Sequence, residues 1–233
     1  DELRELDKRG ADEAVRRPVR EKQYRAWASG FDSACADRLA TDLARHGIWQ
    51  VPTLVINRSY SHIDSAGWNA DSRRDVVPVT MLDEWETLRT ELLAEYGPLG
   101  VAAWRIRYAR EGDLLRRMLD AGVGILAGTD ASDEPFVYPG SSLHDELALL
   151  VDAGLTPLQA LQAATLNAAT FLNRGDIGVV EAGRVADLVL LDADPLADIR
   201  NISRIRAVVY RGRVLAGPQL DSLVALARAL AGN

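Results

Sequence analysis

Apolar residues recur along this chain mostly at intervals of three and four, and only in a few places as short unbroken runs. The first pattern predicts amphipathic helices, the second buried strands. Segment 32–45 carries Leu39 and Leu43 among alanines, with Asp32 or Ser33 to cap its start and Gly47 just past its end, and predicts a helix. The run 48–56 follows as a strand, with Pro52, which has no N–H to donate, at its edge or end. Residues 57–79 are polar and turn-rich and predict a long loop on the C-terminal side of that strand. Thr80 then opens a helix, with Asp83 three residues on as an approximate capping box; Leu82, Trp85, Leu88, Leu92 and Leu93 share one face, and Gly97-Pro98 ends it. Segments 101–108 and 111–120 read as further helices, the last closed by Ala121-Gly122.

The stretch Val123-Gly-Ile-Leu-Ala-Gly-Thr-Asp130 organises the rest. Its apolar part reads as a buried parallel strand. Gly128 lets the backbone turn or another group come close. Asp130 stands just beyond the C-terminal end, the edge where parallel α/β folds gather ligands and catalytic groups. There it is a candidate metal ligand or general base, with a turn-capping aspartate as the plainer alternative. After a loop at 131–140, a helix begins at Ser141 or Ser142 and stops at Gly154. Thr156, Pro157 and Gln159 together mark the start of the next helix, as cap, first residue and capping-box partner. Then the pattern changes. Segment 186–191 is a strand, 207–210 and 213–215 flank the hairpin signal Arg211-Gly212, and 220–230 closes the chain as an apolar-faced helix.

At 233 residues and 48% hydrophobic, the chain can bury a sizeable core. A net charge of −7 argues against nucleic acid as a main partner, since phosphate binding needs a basic face. No apolar run reaches the length of a membrane span. The single cysteine, Cys35, excludes an internal disulfide and a cysteine-based zinc site, and leaves the compartment open between cytoplasm and export. The chain begins at Asp1, with its first methionine at Met81, so the expectation is a processed chain or a fragment. Segment 1–25 alternates charges with few apolar anchors and reads as a solvated helix or a mobile excursion.

Four pieces in order resemble the C-terminal half of the metal-dependent amidohydrolase superfamily, in the manner of its imidazolonepropionase-like and prolidase-like members. They are Gly124-Ile-Leu-Ala-Gly-Thr-Asp130; Ser142-Leu-His-Asp-Glu-Leu147 with Ala153-Gly-Leu-Thr-Pro157; Ala160-Leu161 with Ala163-Ala-Thr165 and Asn167-Ala168; and Gly178, Glu181 and Gly183-Arg-Val-Ala-Asp-Leu-Val-Leu-Leu-Asp192 with Pro195-Leu196. The resemblance implies an α/β fold: the last part of a (β/α)8 TIM-like barrel over 1–175, with a long insertion at 57–111 forming a lid or rim. It adds part of a small composite β-sandwich over 176–216 and a C-terminal helix over 217–233. Segments 48–56 and 123–129 would be strands seven and eight. Asp130 would then match the strand-eight aspartate, which binds the more buried metal and shuttles a proton to and from the attacking water.

The implied activity is hydrolysis of a C–N bond in an amide, cyclic amide or dipeptide by metal-activated water, with one or two divalent ions, zinc by preference. A divalent ion lowers the pKa of its water toward neutrality. The family's His-x-His on strand one, its strand-four lysine or glutamate and its later histidines have no match here. The chain therefore looks like the half that follows strand six, expected to be inactive and aggregation-prone in isolation because a half barrel exposes strand edges. The rival reading is a non-catalytic or degenerate module acting as a structural partner. A deaminase of the same superfamily would share Asp130.

The remaining candidates each have a plainer reading. His144 falls in the first turn of the helix after the strand-eight loop, as a helix-start histidine bonded to a neighbour or a substrate contact. Arg58 and His62, in the loop after strand seven, are solvated or reach a substrate carboxylate. His46 suits a helix C-terminus. Asp133 and Glu134 read as exposed loop acids, Trp49, Trp68, Trp85 and Trp104 as packing, and Asp187 and Asp192 as structural. The expected partner is a small-molecule or peptide-like substrate, and a homo-oligomer is left open.

Overall fold

The structure, a computed structural model, describes residues 2–131 and 134–232, apart from the side chain of Asp7. The charged opening folds into two helices, α1 (Glu2–Lys8) and α2 (Glu13–Ser29). It is docked rather than mobile. Tyr24 and Arg20 of α2 are buried, and Arg20 pairs with Glu13 and, at 3.5 Å, with Glu95. Asp32 caps α3 (Ser33–Arg45), accepting from the Cys35 N–H at 3.0 Å. His46 ends that helix as expected, its Nδ1 2.7 Å from the Asp42 carbonyl.

The two predicted barrel strands are the main correction. Segments 48–56 and 123–129 meet in one parallel bridge, Gln50 with Ile125. The Gln50 N–H donates to Gly124 O and the Leu126 N–H to Gln50 O, both at 2.9 Å. Pro52 ends the ladder, and Thr53, at φ 49°, turns the chain into α4 (Leu54–Ser61), where a strand and then a loop were expected. On the other side of 123–129 the described partners are not a strand. Asn167 Nδ2 donates to Ile125 O at 2.9 Å, and the Ala127 N–H donates to Ala163 O at 3.1 Å. The glycines here have steric reasons: a Cβ on Gly124 would lie 2.4 Å from the Trp49 ring, and one on Gly128 2.7 Å from Val51.

The expected loop at 57–79 is largely ordered. It holds the end of α4 and two 3-10 turns, Ala66–Ala70 and Ser72–Val76, opened by Ser65 and Asp71 side chains that accept from the N–H two residues on. The predicted capping box at Thr80 does not form, because α5 (Val79–Asp120) starts a residue earlier with Pro78 at its cap. Its break falls where the sequence placed a helix end, at Gly97 (φ 55°, ψ −175°) before Pro98. The segments expected as separate helices at 101–108 and 111–120 form one continuous arm.

Helices α6 (Ser142–Asp152), α7 (Pro157–Ala164) and α8 (Leu166–Phe171) follow. The capping box at Thr156 is complete: the Gln159 N–H donates to Thr156 Oγ1 at 3.2 Å, and the Thr156 N–H to Gln159 Oε1 at 2.8 Å. Strands β1 (Leu188–Leu191), β2 (Ile205–Tyr210) and β3 (Arg213–Ala216) form an antiparallel sheet in that order, with Leu188 opposite Val209 and Tyr210 opposite Arg213. Arg211 and Gly212, at φ 49° and 75°, turn the hairpin as the sequence predicted. Asp187 accepts from the Arg211 N–H and Asp192 from Arg206, both structural roles. Helix α9 (Pro218–Ala231) closes the chain. Among the described residues no helix is long and apolar enough to cross a membrane.

Two apolar clusters result. The larger gathers Leu54, Leu115, Met118, Ile125, Leu150 and Ala163, where α3 to α7 meet the 123–127 segment. The smaller gathers Ile63, Val77, Trp85, Val101, Phe136 and Tyr138. Removing the box at Thr156 with Thr156→Ala should cost about 1 kcal/mol, read as a lowered denaturation midpoint with an unchanged urea m-value.

Candidate functional site

The site is built around the first turn of α6. Glu146 sits on that helix's apolar face, one position before the core residue Leu147, and is fully buried. Its two oxygens reach α4, accepting from the Leu54 N–H at 3.1 Å and the Val55 N–H at 2.8 Å. These are donors that the first turn of a helix leaves unpaired, and a negative charge suits that end of the dipole. Burial pushes the Glu146 carboxyl up to about 7, against the two N–H bonds and the Arg58 charge, which favour the ionised form.

Asp145, next in the chain, faces the other way. Its Oδ2 accepts from Arg58 at 2.9 Å and from Arg73 at 2.8 Å, joining α4 to the second 3-10 turn. Arg73 also forks onto Asp71 and lies over the Tyr138 ring, 4.4 Å from its centroid. Burial works against ionisation of Asp71, but the Arg73 bonds and charge hold its carboxyl below the usual range. Arg58 lies over the Trp68 ring at 5.8 Å, and Trp68 stacks on Phe136 at 5.0 Å.

These groups border an open cavity of about 350 Å³ lined by Arg58, His62, Trp68, Asp71, Arg73 and Asp145. Two of the predicted substrate contacts, Arg58 and His62, therefore share one wall. They stand on and at the end of α4 rather than in a loop. His62 caps that helix, its Nδ1 2.8 Å from Ser61 Oγ and 3.2 Å from the Arg58 carbonyl, with its ring edge-on to Tyr108. His144 is half-buried on α6 beside Asp145; burial lowers its imidazole pKa, with Asp145 opposing and Arg73 adding to the shift.

Asp130 is exposed, at φ 48°, at the end of the 123–129 segment; it does not line the cavity. Asp133 lies outside the described residues. Glu134, expected as an exposed loop acid, is half-buried and accepts from the Tyr60 hydroxyl, while Ser59 donates to the Pro135 carbonyl. The loop after Asp130 is thereby fastened to α4. Trp85 is core, and Trp49 and Trp104 pack against Phe171 and Tyr60. Sequence reasoning quoted the motif containing Asp145 and Glu146 without assigning them a role. The available signal was a carboxylate at an apolar-face position of a helix.

Among the described residues, no three His, Cys, Asp or Glu side chains converge to hold a metal ion. Catalytic zinc centres take three protein ligands, so the described residues alone do not make up such a centre.

The fold is helix-rich with a small antiparallel sheet and one parallel bridge, and comparison with known proteins gives the family. The pattern described as "Amidohydrolase family" matches residues 30–215. The chain belongs to the amidohydrolase family. An imidazolonepropionase of Geobacillus sp. (strain WCH70) is 37% identical over 109 residues, covering 43% of this chain and 24% of that protein. Adenine deaminase 2 of Agrobacterium fabrum is 42% identical over 87 residues, covering 36% and 15%. In each case the match spans about a quarter or less of the relative's own length. Among solved structures, a bottromycin amidohydrolase superposes with a TM-score of 0.66 at 24% identity over 99% of this chain and 55% of that one. A Xaa-Pro dipeptidase with bound methionine gives 0.52 at 21%, over 76% and 37%. Both are likenesses of fold, and with the family they imply a TIM-barrel type architecture, of which this helix-rich chain and its small antiparallel sheet are consistent with a part.

Two outcomes are expected. Asp145→Ala removes the acceptor that Arg58 and Arg73 share and should destabilise the protein by about 1–3 kcal/mol, more than Arg58→Ala does, as read by urea denaturation. Glu146 binds its proton more tightly folded than unfolded, since its carboxyl is raised from 4.5 to about 7. Stability relative to Glu146→Gln should therefore grow as pH falls through that window and vanish as a difference in slope above it.

Proposed function

We propose that the intact protein hydrolyses a C–N bond, in an amide, a cyclic amide or a dipeptide, as a metal-dependent amidohydrolase. The observation that carries the reading is the position of Asp130. It follows Gly128 and Thr129 at the end of a segment bridged in parallel to Gln50, and its carboxylate is open to solvent. A carboxylate so placed can take the proton of an attacking water and return it to the leaving nitrogen. Asp130 is also our candidate for one donor to a divalent ion, zinc by preference; the described residues do not by themselves bring three such donors together.

Arg58 and His62 are assigned to the substrate, and His144, in the first turn of α6, is a third candidate. Support for Arg58 and His62 comes from the cavity that both border. The substrate class is a small molecule or a peptide-like compound. We also infer that 57–111 forms the rim that selects it, and that the sheet at 188–216 belongs to a composite β-sandwich.

Asp130→Asn is the direct test. Asparagine tolerates the left-handed backbone at this position, and the side chain is exposed, so the melting temperature should stay within a degree or two. Turnover of cyclic amides and dipeptides by the intact protein should fall about 10²–10⁴-fold. Full turnover by the variant would overturn the assignment.

A further inference from the structure

Arg58 and His62 can serve a substrate only if α4 is held in register with the loop that follows Asp130. The chain supplies little local means of doing so. Thr53, at the cap of α4, has a left-handed backbone, and its hydroxyl bonds its neighbour's carbonyl, Pro52 O at 2.8 Å, instead of an N–H of the helix. The helix is eight residues long, too short to be stable by propensity. What it has is Glu146, reaching across from α6 with one oxygen for each of its first two N–H groups. From the same turn of α6, Asp145 holds the Arg58 and Arg73 side chains.

We propose that Glu146 is the positioning residue of the cavity: its carboxylate, in place of a local cap, fixes the start of α4 and thereby sets where Arg58 and His62 point. The requirement is for a carboxylate and not for bulk. Glutamine has the same length, but one of its two terminal atoms is a donor and would face an N–H. A leucine would fill the volume and leave both N–H groups buried without an acceptor. The charged and titratable groups around Glu146 are Arg58 on α4, Tyr108 on α5 and Asp145 on its own helix.

The test is amide hydrogen exchange on the intact protein, corrected for intrinsic rates, in wild type and Glu146→Gln. The amides of Leu54 and Val55 should exchange at least tenfold faster in the variant, while that of Gln159, held by the distant capping box, stays as it was. Unchanged protection at Leu54 and Val55 would overturn the proposal, as would an equal loss at Gln159, which would mark a general packing role. Should the variant not fold, Glu146→Asp, which keeps both acceptor oxygens but shortens their reach, takes its place: faster exchange at Leu54 and Val55 with Gln159 unchanged is expected, and unchanged protection at the two amides would overturn the proposal. The proposal rests on the assignment of Arg58 and His62 to the substrate, but exchange is measured without turnover. Lost activity with the exchange pattern as expected would count against the hydrolytic reading only.

Discussion

A buried carboxylate bonded to two main-chain N–H groups is the contact on which the arrangement of this molecule depends. Burying an ionised group is costly unless it is fully bonded. Here the cost is offset by two donors that would themselves be orphaned without it. Neither partner can be changed alone, which makes the junction between α4 and α6 more specific than apolar packing could make it. Around it the other joints are also polar: Asp145 to two arginines, Tyr60 to Glu134, Ser59 to a main-chain carbonyl. The apolar clusters supply bulk stability, and these joints choose the register.

Features whose causes lie within a few residues were legible in the sequence. The capping box at Thr156, the Asp32 cap of α3 and the Arg211-Gly212 hairpin are each closed by atoms at most four positions apart, and each appears where the pattern placed it. Features with distant causes were not. An apolar run such as 48–56 reads equally well as strand or as buried helix, and the deciding contact, Glu146 to Leu54, spans 92 positions. The family signal was strong because its motifs are themselves structural: Asn167 holds Ile125, and Ala163 gives its carbonyl to Ala127. Of the candidate site, the sequence pointed to Arg58, His62 and His144. It did not point to the two acids that hold α4 beside the cavity, since a Glu on an apolar helix face carries no local mark of its partner.

The segment leading to Asp130 is kept thin on purpose of fit. Trp49 lies over Gly124 and Val51 over Gly128 so closely that neither position admits a side chain. Two large residues of one run thus use the space vacated by two glycines of the other, and a single bridge is enough to align them. The positive φ at Asp130 then breaks the extended direction, so its carboxylate leaves the segment rather than continuing along it.

The arm of α5 beyond Gly97 has a mechanical consequence. It begins with Val101 in the smaller cluster and ends with Leu115 and Met118 in the larger one. One continuous helical arm thus passes through both interiors. The two clusters cannot melt independently without fraying a helix in its middle, where nucleation of a new end is unfavourable. The cluster that holds Trp85 and the cluster that holds Ile125 should therefore behave as a single cooperative unit, and a loss of order in one would be transmitted along the helix to the other.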